Sequence, residues 1–427
     1  MRLSPKILMR IITVPSVAIL LLIFYIIYMK FDEPLSKTLV EKIAVTSHIR
    51  RRADMGVNLF KNVGEPFDDI YSVNSVVRSI IRKRAKSIKW IKHDIEIWGK
   101  ASIADYLWYH ILGGNATTYS NGLLKHGEII MQNLHIRFRS GPGIIPSTVP
   151  NTVKYLILVL NGRDEQKRKF ARSWLDHLVH FKYLRKVALI ILGDEKCDND
   201  WILPYVKSRG GIINLVFIVY DSPLVDNKEF FQWPLGVATY RGFPHFRSDR
   251  INVEVARQYM CSFRGTVYTN TSREVLHRIL QNSNKCFSET RNTWAPTETY
   301  ESMGRYLKTL TESDLTLNPV GFNTECYRIY EAFSLGSVPV VENVLTPGQC
   351  DSKSKNSPLR LLKEHNAPMI LIKDWNDLND LLEKESKLDL QVKVERRRRV
   401  VTWYENFKLQ MKNRLLGTIR KTFFMKE

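Results

Sequence analysis

The chain has 427 residues, 44% of them apolar, and a formal charge of +21. That is length for two domains with appendages and enough apolar matter for packed cores, which excludes a disordered or low-complexity protein. So large a positive charge invites a nucleic-acid partner, but the N-terminus argues against one.

Ile11–Met29 is a run of about 19 residues without a charge, enough to cross a bilayer. Arg2, Lys6 and Arg10 precede it, whereas Lys30, Asp32 and Glu33 follow. The positive-inside bias therefore leaves residues 1–10 cytosolic and everything after Met29 across the membrane. A cleaved signal peptide would carry a shorter apolar region and a small-residue cleavage site, and Tyr25–Phe31 is bulky. The expectation is a single-pass type II anchor, residues 11–29, with a lumenal body. Its basic surface would meet anionic glycans, phosphates or neighbouring membrane proteins, with no nucleic acid. Five cysteines (Cys197, Cys261, Cys286, Cys326 and Cys350) hold no C-x-x-C and are too scattered for zinc. An oxidising lumen allows one or two disulfides and leaves at least one thiol unpaired. Asn115-Ala-Thr and Asn270-Thr-Ser are glycosylation sequons on that side.

Residues 30–95 are basic and mostly polar, with His48-Ile-Arg-Arg-Arg52 and Ile81-Arg-Lys-Arg-Ala-Lys86, and read as a stem with solvated charge. His93 to Leu112, rich in Trp and Tyr, reads as a helix with a thick apolar face, and the residues up to Gly141-Pro-Gly143 as loop. Val153–Leu160, Val187–Leu192 and Leu215–Tyr220 are apolar runs, separated by a helix over Glu165–Phe181 and a short one over Trp201–Lys207. Continuous apolar strands alternating with helices indicate a parallel sheet covered on both faces. The irregular crossing Gln232-Trp-Pro-Leu-Gly236 to Tyr240-Arg-Gly-Phe-Pro244 is the expected boundary between α/β domains at 96–245 and 246–427. The second series runs strand Met260–Phe263, turn Arg264-Gly265, helix Ser272–Gln281, a loop to Pro296, helix Thr299–Thr309, and later strand Met369–Ile372. Helices over Asn376–Leu388 and Val394–Leu416 close the chain, the latter carrying Arg396–Arg399, read as mostly solvated.

Within that series, Ser313–Asn343 reads as one strand–turn–helix–turn–strand unit. Asp314–Asn318 forms a strand broken at Pro319-Val320-Gly321, and Asn323 or Thr324 can cap the helix that follows. Gly336 ends it in the left-handed conformation and Val338–Val341 returns as a buried strand. Cys326, Ile329, Tyr330 and Phe333 form the apolar stripe, while Thr324, Arg328 and Glu331 fall on the opposite, polar one. A solvated face explains such a stripe by itself. The glycine-bearing loop adds another reading, because a helix N-terminus after it suits a phosphate, with Arg328 for a diphosphate and Glu331 for a ribose.

Two consecutive parallel-sheet domains place a cleft at the carboxyl ends of their strands. Loops there offer Arg163, Asp164, Asp194, Glu195 and Asp221 on one wall, and Arg264 with Gly321–Glu331 on the other. No G-x-x-x-x-G-K-[ST], G-x-S-x-G or H-E-x-x-H occurs. Asp198-Asn-Asp200 could hold a divalent metal, but Asp200 before a helix reads better as its cap. Cys326, on the apolar face, is discounted as a nucleophile.

The run Leu315-x-Leu-x-Pro-x-Gly-x(6)-Arg328-x-x-Glu331-Ala332-x-x-x-Gly336-Ser-Val-Pro339-Val340 resembles the nucleotide-sugar motif of the exostosin-like glycosyltransferases, and Phe263-Arg-Gly265 followed by Arg273 is similar to their upstream segment. Over residues 95 to 427 the chain resembles, within that group, the type II Golgi ribitol-phosphate xylosyltransferases. Cys197-Asp-Asn-Asp-Trp201, Tyr220-Asp-Ser-Pro223, Phe231–Arg241 and Asn323–Ala332 carry the closer likeness. The resemblance implies a GT-B fold, two Rossmann-like domains with a cleft between them, with the acceptor mainly in the N-terminal one and the donor in the C-terminal one. It further implies inverting transfer of xylose from UDP-xylose to ribitol phosphate on the O-mannosyl glycan of α-dystroglycan, at the Golgi membrane, with other transferases of that assembly as possible partners. No cofactor or metal is expected.

The expected donor residues are Arg264, Gly321, Asn323, Thr324, Arg328 and Glu331. Arg163, Lys167 and Arg241 are candidates by position for the acceptor phosphate. Inversion needs a base for the acceptor hydroxyl. Asp221 is favoured, with Asp194 and Glu195 as alternatives, and the resemblance supplies none of the three. An exostosin-like enzyme using another UDP-sugar, or a non-catalytic glycan-binding or scaffold subunit, are the competing expectations.

Overall fold

The computed structural model describes residues 93–119, 122–351 and 353–425. The expected anchor and stem lie outside them; among the described residues no helix is long and apolar enough to cross a membrane. Residues from Trp90 onward form one compact unit built on two sheets.

The first sheet opens with β1 (His93–Gly99), a stretch read from sequence as helix. Its alternation puts Ile95 and Ile97 in the core with Glu96 and Trp98 on the other face, a strand pattern that the apolar run after it had masked. A short helical turn, Ile103–Asp105, continues as a π-helix over Tyr106–Leu112. The residues read as loop then form β2 (Thr117–Tyr119), β3 (Leu124–Met131) and β4 (Leu134–Ser140). Gln132 and Asn133, both at positive φ, make the two-residue hairpin between the last two, a turn whose twist suits antiparallel strands. After β5 (Tyr155–Asn161) come α1 (Glu165–His177), capped by Asp164, then β6 (Lys186–Leu192), β7 (Ile213–Val219) and β8 (Phe230–Trp233). The order is β2-β3-β4-β1-β5-β6-β7-β8, parallel from β4 onward and antiparallel at the β2–β3–β4 edge. Leu156, Leu158 and Leu160 of β5 pack into one core, while Ile157 and Val159 face the other. That two-sided burial is why these strands read as unbroken apolar runs.

The second sheet is wholly parallel, in the order β10-β9-β11-β12-β13. It comprises β9 (Tyr259–Thr266), β10 (Cys286–Arg291), β11 (Ser313–Asn318), β12 (Val338–Glu342) and β13 (Ile370–Ile372). Arg264-Gly265, expected as a turn, continues β9, and β10 occupies part of the expected loop. The helices are α2 (Ser272–Gln281), α3 (Tyr300–Thr311), α4 (Tyr327–Ser334), α5 (Arg360–Glu364), α6 (Leu378–Ser386) and α7 (Leu390–Phe424).

At 35 residues α7 spans roughly 50 Å and reaches both sheets. Its Tyr404 hydroxyl meets that of Tyr106 at 3.2 Å, and Phe424 stacks on His93. Arg397, expected in solvent with its neighbours, is instead 1% exposed. It binds Asp314 and the carbonyls of Val253 and Val255, so its charge and donors are satisfied inside the fold.

Candidate active site

A cavity of about 930 Å³ lies at the carboxyl edges of both sheets. On the first sheet the loops after β5, β6, β7 and β8 bring Arg163, Glu195, Tyr220 and Leu235 to it. On the second, the ends of β9 and β10 bring Arg264 and Glu289, and the turn after β11 brings Val320 to Asn323. This is where open parallel sheets place ligands.

Charge balance within the cavity picks out two residues. Arg163 pairs with Glu195, Lys167 with Asp164, Arg264 with Glu289, and both Arg291 and Arg241 with Glu298. Arg273 and Arg328 line the same cavity, and among the described residues neither has a carboxylate partner. Arg273 donates to the carbonyls of Val320 and Thr266. Arg328 lies over the Phe263 ring at 5.1 Å, with Cys326 Sγ 4.0 Å from its Nη1. Burial, and next the charge on Arg328, lowers the pKa of Arg273, and the Glu195 carboxylate opposes that shift without reversing it. Arg264 adds an Nη1 that is buried without a hydrogen bond. These groups are a ready receptor for a dianionic diphosphate.

Two glycines let the guanidinium groups lie where they do. A Cβ on Gly321 would stand 2.8 Å from Arg273 Nη2, and one on Gly265 2.9 Å from Arg328 Nη2. The glycine of the motif thus serves close packing of an arginine rather than an unusual backbone angle.

The helix after that turn starts later than the sequence suggests. Its cap position is Cys326, with no side-chain cap bond, so neither Asn323 nor Thr324 caps it. Asn323 does line the cavity, but its Oδ1 accepts from Glu325 N while Nδ2 donates to the Glu195 carbonyl on the opposite wall. Thr324 is 3% exposed, donates to the Val344 carbonyl and does not line the cavity. Its expected donor contact is therefore not available in this arrangement. Glu331 lines the cavity, yet it is buried rather than on a solvated stripe: Oε1 accepts from Ala238 N and Oε2 from the Tyr306 hydroxyl. Burial raises its pKa above the usual carboxylate value.

Of the three expected bases, Asp221 is turned away from the cavity. Its carboxylate accepts from Gln232 Nε2 and the backbone N–H of Arg360, which ties it to the start of α5, and it is not among the residues lining the cavity. Asp194 also lies off the cavity, turning back to Lys196 N. Glu195 lines it, held by Arg163. Arg163, Lys167 and Arg241, the expected acceptor-phosphate residues, all line it, each with a carboxylate partner; Arg241 Nε stays buried without a hydrogen bond. In Asp198-Asn-Asp200 the acids diverge. Asp198 accepts from Arg168, Asn199 takes the cap position with no side-chain cap bond, and Asp200 opens a short 3-10 helix without capping it. Among the described residues no group of three or more potential ligands could hold a metal.

Sequence reasoning placed Arg273 only by resemblance and missed Tyr306, Glu298 and Glu325. Glu325 sits in a non-periodic turn, where no helical or strand spacing marks a side chain as inward. The cysteine pairing, open in the sequence, is Cys197–Cys350 and Cys261–Cys286, leaving Cys326 as the free thiol. Cys197–Cys350 ties the loop after β6 to the one after β12, and Asn323 bridges beside it. Burial raises the Cys326 thiol pKa, which keeps it protonated and a poor nucleophile.

Two family models match the chain: RXYLT1 N-terminal domain over residues 95–234 and RXYLT1 C-terminal domain over 240–424. The chain is 45% identical to a Danio rerio protein named ribitol-5-phosphate xylosyltransferase 1, over 78% of both chains. It is 44% identical to the Homo sapiens protein of that name, over 78% of this chain and 77% of the relative. Among solved structures, an α1,3-fucosyltransferase superposes with a TM-score of 0.31 at 11% identity, over 75% of this chain and 80% of that one, a likeness too weak to bear on the fold.

Proposed function

Since the chain belongs to the ribitol-5-phosphate xylosyltransferase family, we propose that it transfers xylose from UDP-xylose to ribitol 5-phosphate on a glycan, with inversion. The observation that carries this reading is the Arg273–Arg328 pair, which among the described residues forms no salt bridge in a cavity where the other cations are paired. A diphosphate leaving group develops charge as the anomeric bond breaks, and fixed guanidinium groups stabilise it there. Glu331 and the 321–323 turn would bind the nucleoside. Arg163, Lys167 and Arg241 face them from across the cavity and suit the acceptor phosphate. The two sheets then act as the donor and acceptor halves of a GT-B arrangement, and no metal takes part.

The same reading extends to residues outside the described structure. Ile11–Met29 would anchor the chain in the Golgi membrane, with the body lumenal and the O-mannosyl glycan of α-dystroglycan as acceptor. Asn115 and Asn270, both exposed, would then be open to glycosylation.

The test is purified full-length protein incubated with a panel of UDP-sugars and a ribitol-phosphate glycopeptide, with and without chelator. Turnover with UDP-xylose, unchanged by chelator, is expected. Turnover with a different sugar alone, or glycan binding without turnover, contradicts the assignment. Loss of activity with chelator contradicts the metal-free mechanism.

A further inference from the structure

Displacement at the anomeric carbon leaves one proton to be placed, that of the acceptor hydroxyl. Six carboxylates line the cavity, and their partners separate them. Asp164, Glu195, Glu289 and Glu298 are each half of an ion pair. Glu331 forms no ion pair, but Arg328 and Arg241 act on it through space and each of its oxygens already accepts a hydrogen bond. Glu325 has neither restriction. Its Oε1 accepts from Leu235 N at 3.0 Å and from the Tyr330 hydroxyl, and among the described residues Oε2 takes no hydrogen bond and no Lys or Arg forms an ion pair with it. Glu325 also stands two residues from Asn323, in the turn that leads into the helix carrying Arg328.

With this cavity as the transfer site, we propose that Glu325 is the catalytic base. As the acceptor oxygen bonds to the anomeric carbon, its proton passes to Glu325 Oε2. The anomeric carbon–oxygen bond to UDP breaks, and its electron pair leaves with the diphosphate held by Arg273 and Arg328. The base must be ionised to accept the proton, and its surroundings set when it is. Burial raises Glu325, the hydrogen bonds from Tyr330 and Leu235 N–H draw it down, the charge on Asp221 in the loop after β7 adds a smaller rise, and the net value is about 7. The other titratable groups facing it are the buried phenols of Tyr106 and Tyr220, whose own pKa values Glu325 raises. A base at about 7 is well matched to near-neutral proton transfer.

Glu325 also ties down Leu235, so the experiment must separate chemistry from structure. Full-length protein, UDP-xylose and a ribitol-phosphate acceptor give kcat/KM across about pH 5 to 9, a range that brackets the acid limb of a carboxylate base. Glu325→Gln keeps a carbonyl oxygen for Leu235 N and Tyr330. It is expected to lose kcat by at least about 100-fold while the protein stays folded with UDP affinity near wild type, and to lose the acid limb. Tyr330→Phe removes a hydrogen bond that favours the ionised form and is expected to move that limb to higher pH. A Glu325→Gln protein within about threefold of wild type overturns the proposal, because loss of a general base costs far more. Should Glu325→Gln fail to fold, an unmoved limb in Tyr330→Phe overturns it. Wild type inactive on UDP-xylose instead defeats the functional reading on which the proposal rests.

Discussion

Glu325 and Glu331 show how burial changes the titration of a carboxyl group, since it raises the pKa of both. Both sit on the segment from the turn to α4, and both accept a backbone N–H from the crossing segment 235–238. Removing either would strand a buried donor, at a cost of about 1–3 kcal/mol, so an alanine at Glu331 weakens the fold as well as nucleoside binding. For Glu325 the linkage to pH has a definite sign. Its folded value of about 7 exceeds the free value of 4.5, so between them the native state holds a proton that the unfolded state has lost. Stability from this group is full below 4.5 and falls as pH rises to about 7, by about 3 kcal/mol at 1.36 per pH unit. Glu325→Gln should lack that slope. Urea denaturation of both proteins at pH 5 and 7.5 is expected to show the variant gaining on wild type at the higher pH; parallel behaviour would count against the buried acid.

At the scale of elements, the parallel strands and their helices were legible because both faces of a central strand are apolar, and α2 fell where its periodicity put it. The antiparallel edge was not. β4 alternates apolar with polar residues and β3 carries Lys125-His126-Gly127-Glu128 before a short apolar end, so neither gives a continuous run, and their turn, Gln132-Asn133, lacks the glycine that usually marks a hairpin. The strand–turn–helix unit at 313–343 was legible as a unit, but its cap was misplaced by two or three residues. Asn323 and Thr324 spend their polar atoms on the Glu195 and Val344 carbonyls instead. That displacement matters, since it puts Glu325 in the turn. The disulfide Cys197–Cys350 fixes the same region from the opposite loop, closing a chain segment of 153 residues. Cys350→Ser, which leaves Cys197 unpaired, is expected to cost about 2–5 kcal/mol in denaturant unfolding. A loss below about 1 kcal/mol would show that the hydrogen bonds of Asn323 and Gln349 hold these loops without it.

In the molecule as a whole, two sheets meet at their carboxyl edges and α7 packs on both, so the cavity belongs to neither sheet alone. The net charge of +21 gives little guide to that cavity. Its lining is nearly balanced, and the functional signal is that, among the described residues, Arg273 and Arg328 are the lining cations that form no salt bridge. Sequence showed two arginines near a glycine turn but could not show which cations elsewhere are neutralised, because pairs such as Arg163–Glu195 join residues 32 positions apart. The central claim is that these two guanidinium groups receive the diphosphate of the donor. It is tested most directly by UDP affinity, measured calorimetrically, in the Arg273→Ala/Arg328→Ala double variant of the full-length protein. Each lost charge-assisted contact is worth about 1.5–3 kcal/mol, so binding is expected to weaken by at least about 100-fold with Tm largely kept. An affinity within about threefold of wild type, equivalent to less than 1 kcal/mol, would place the diphosphate elsewhere and contradict the account.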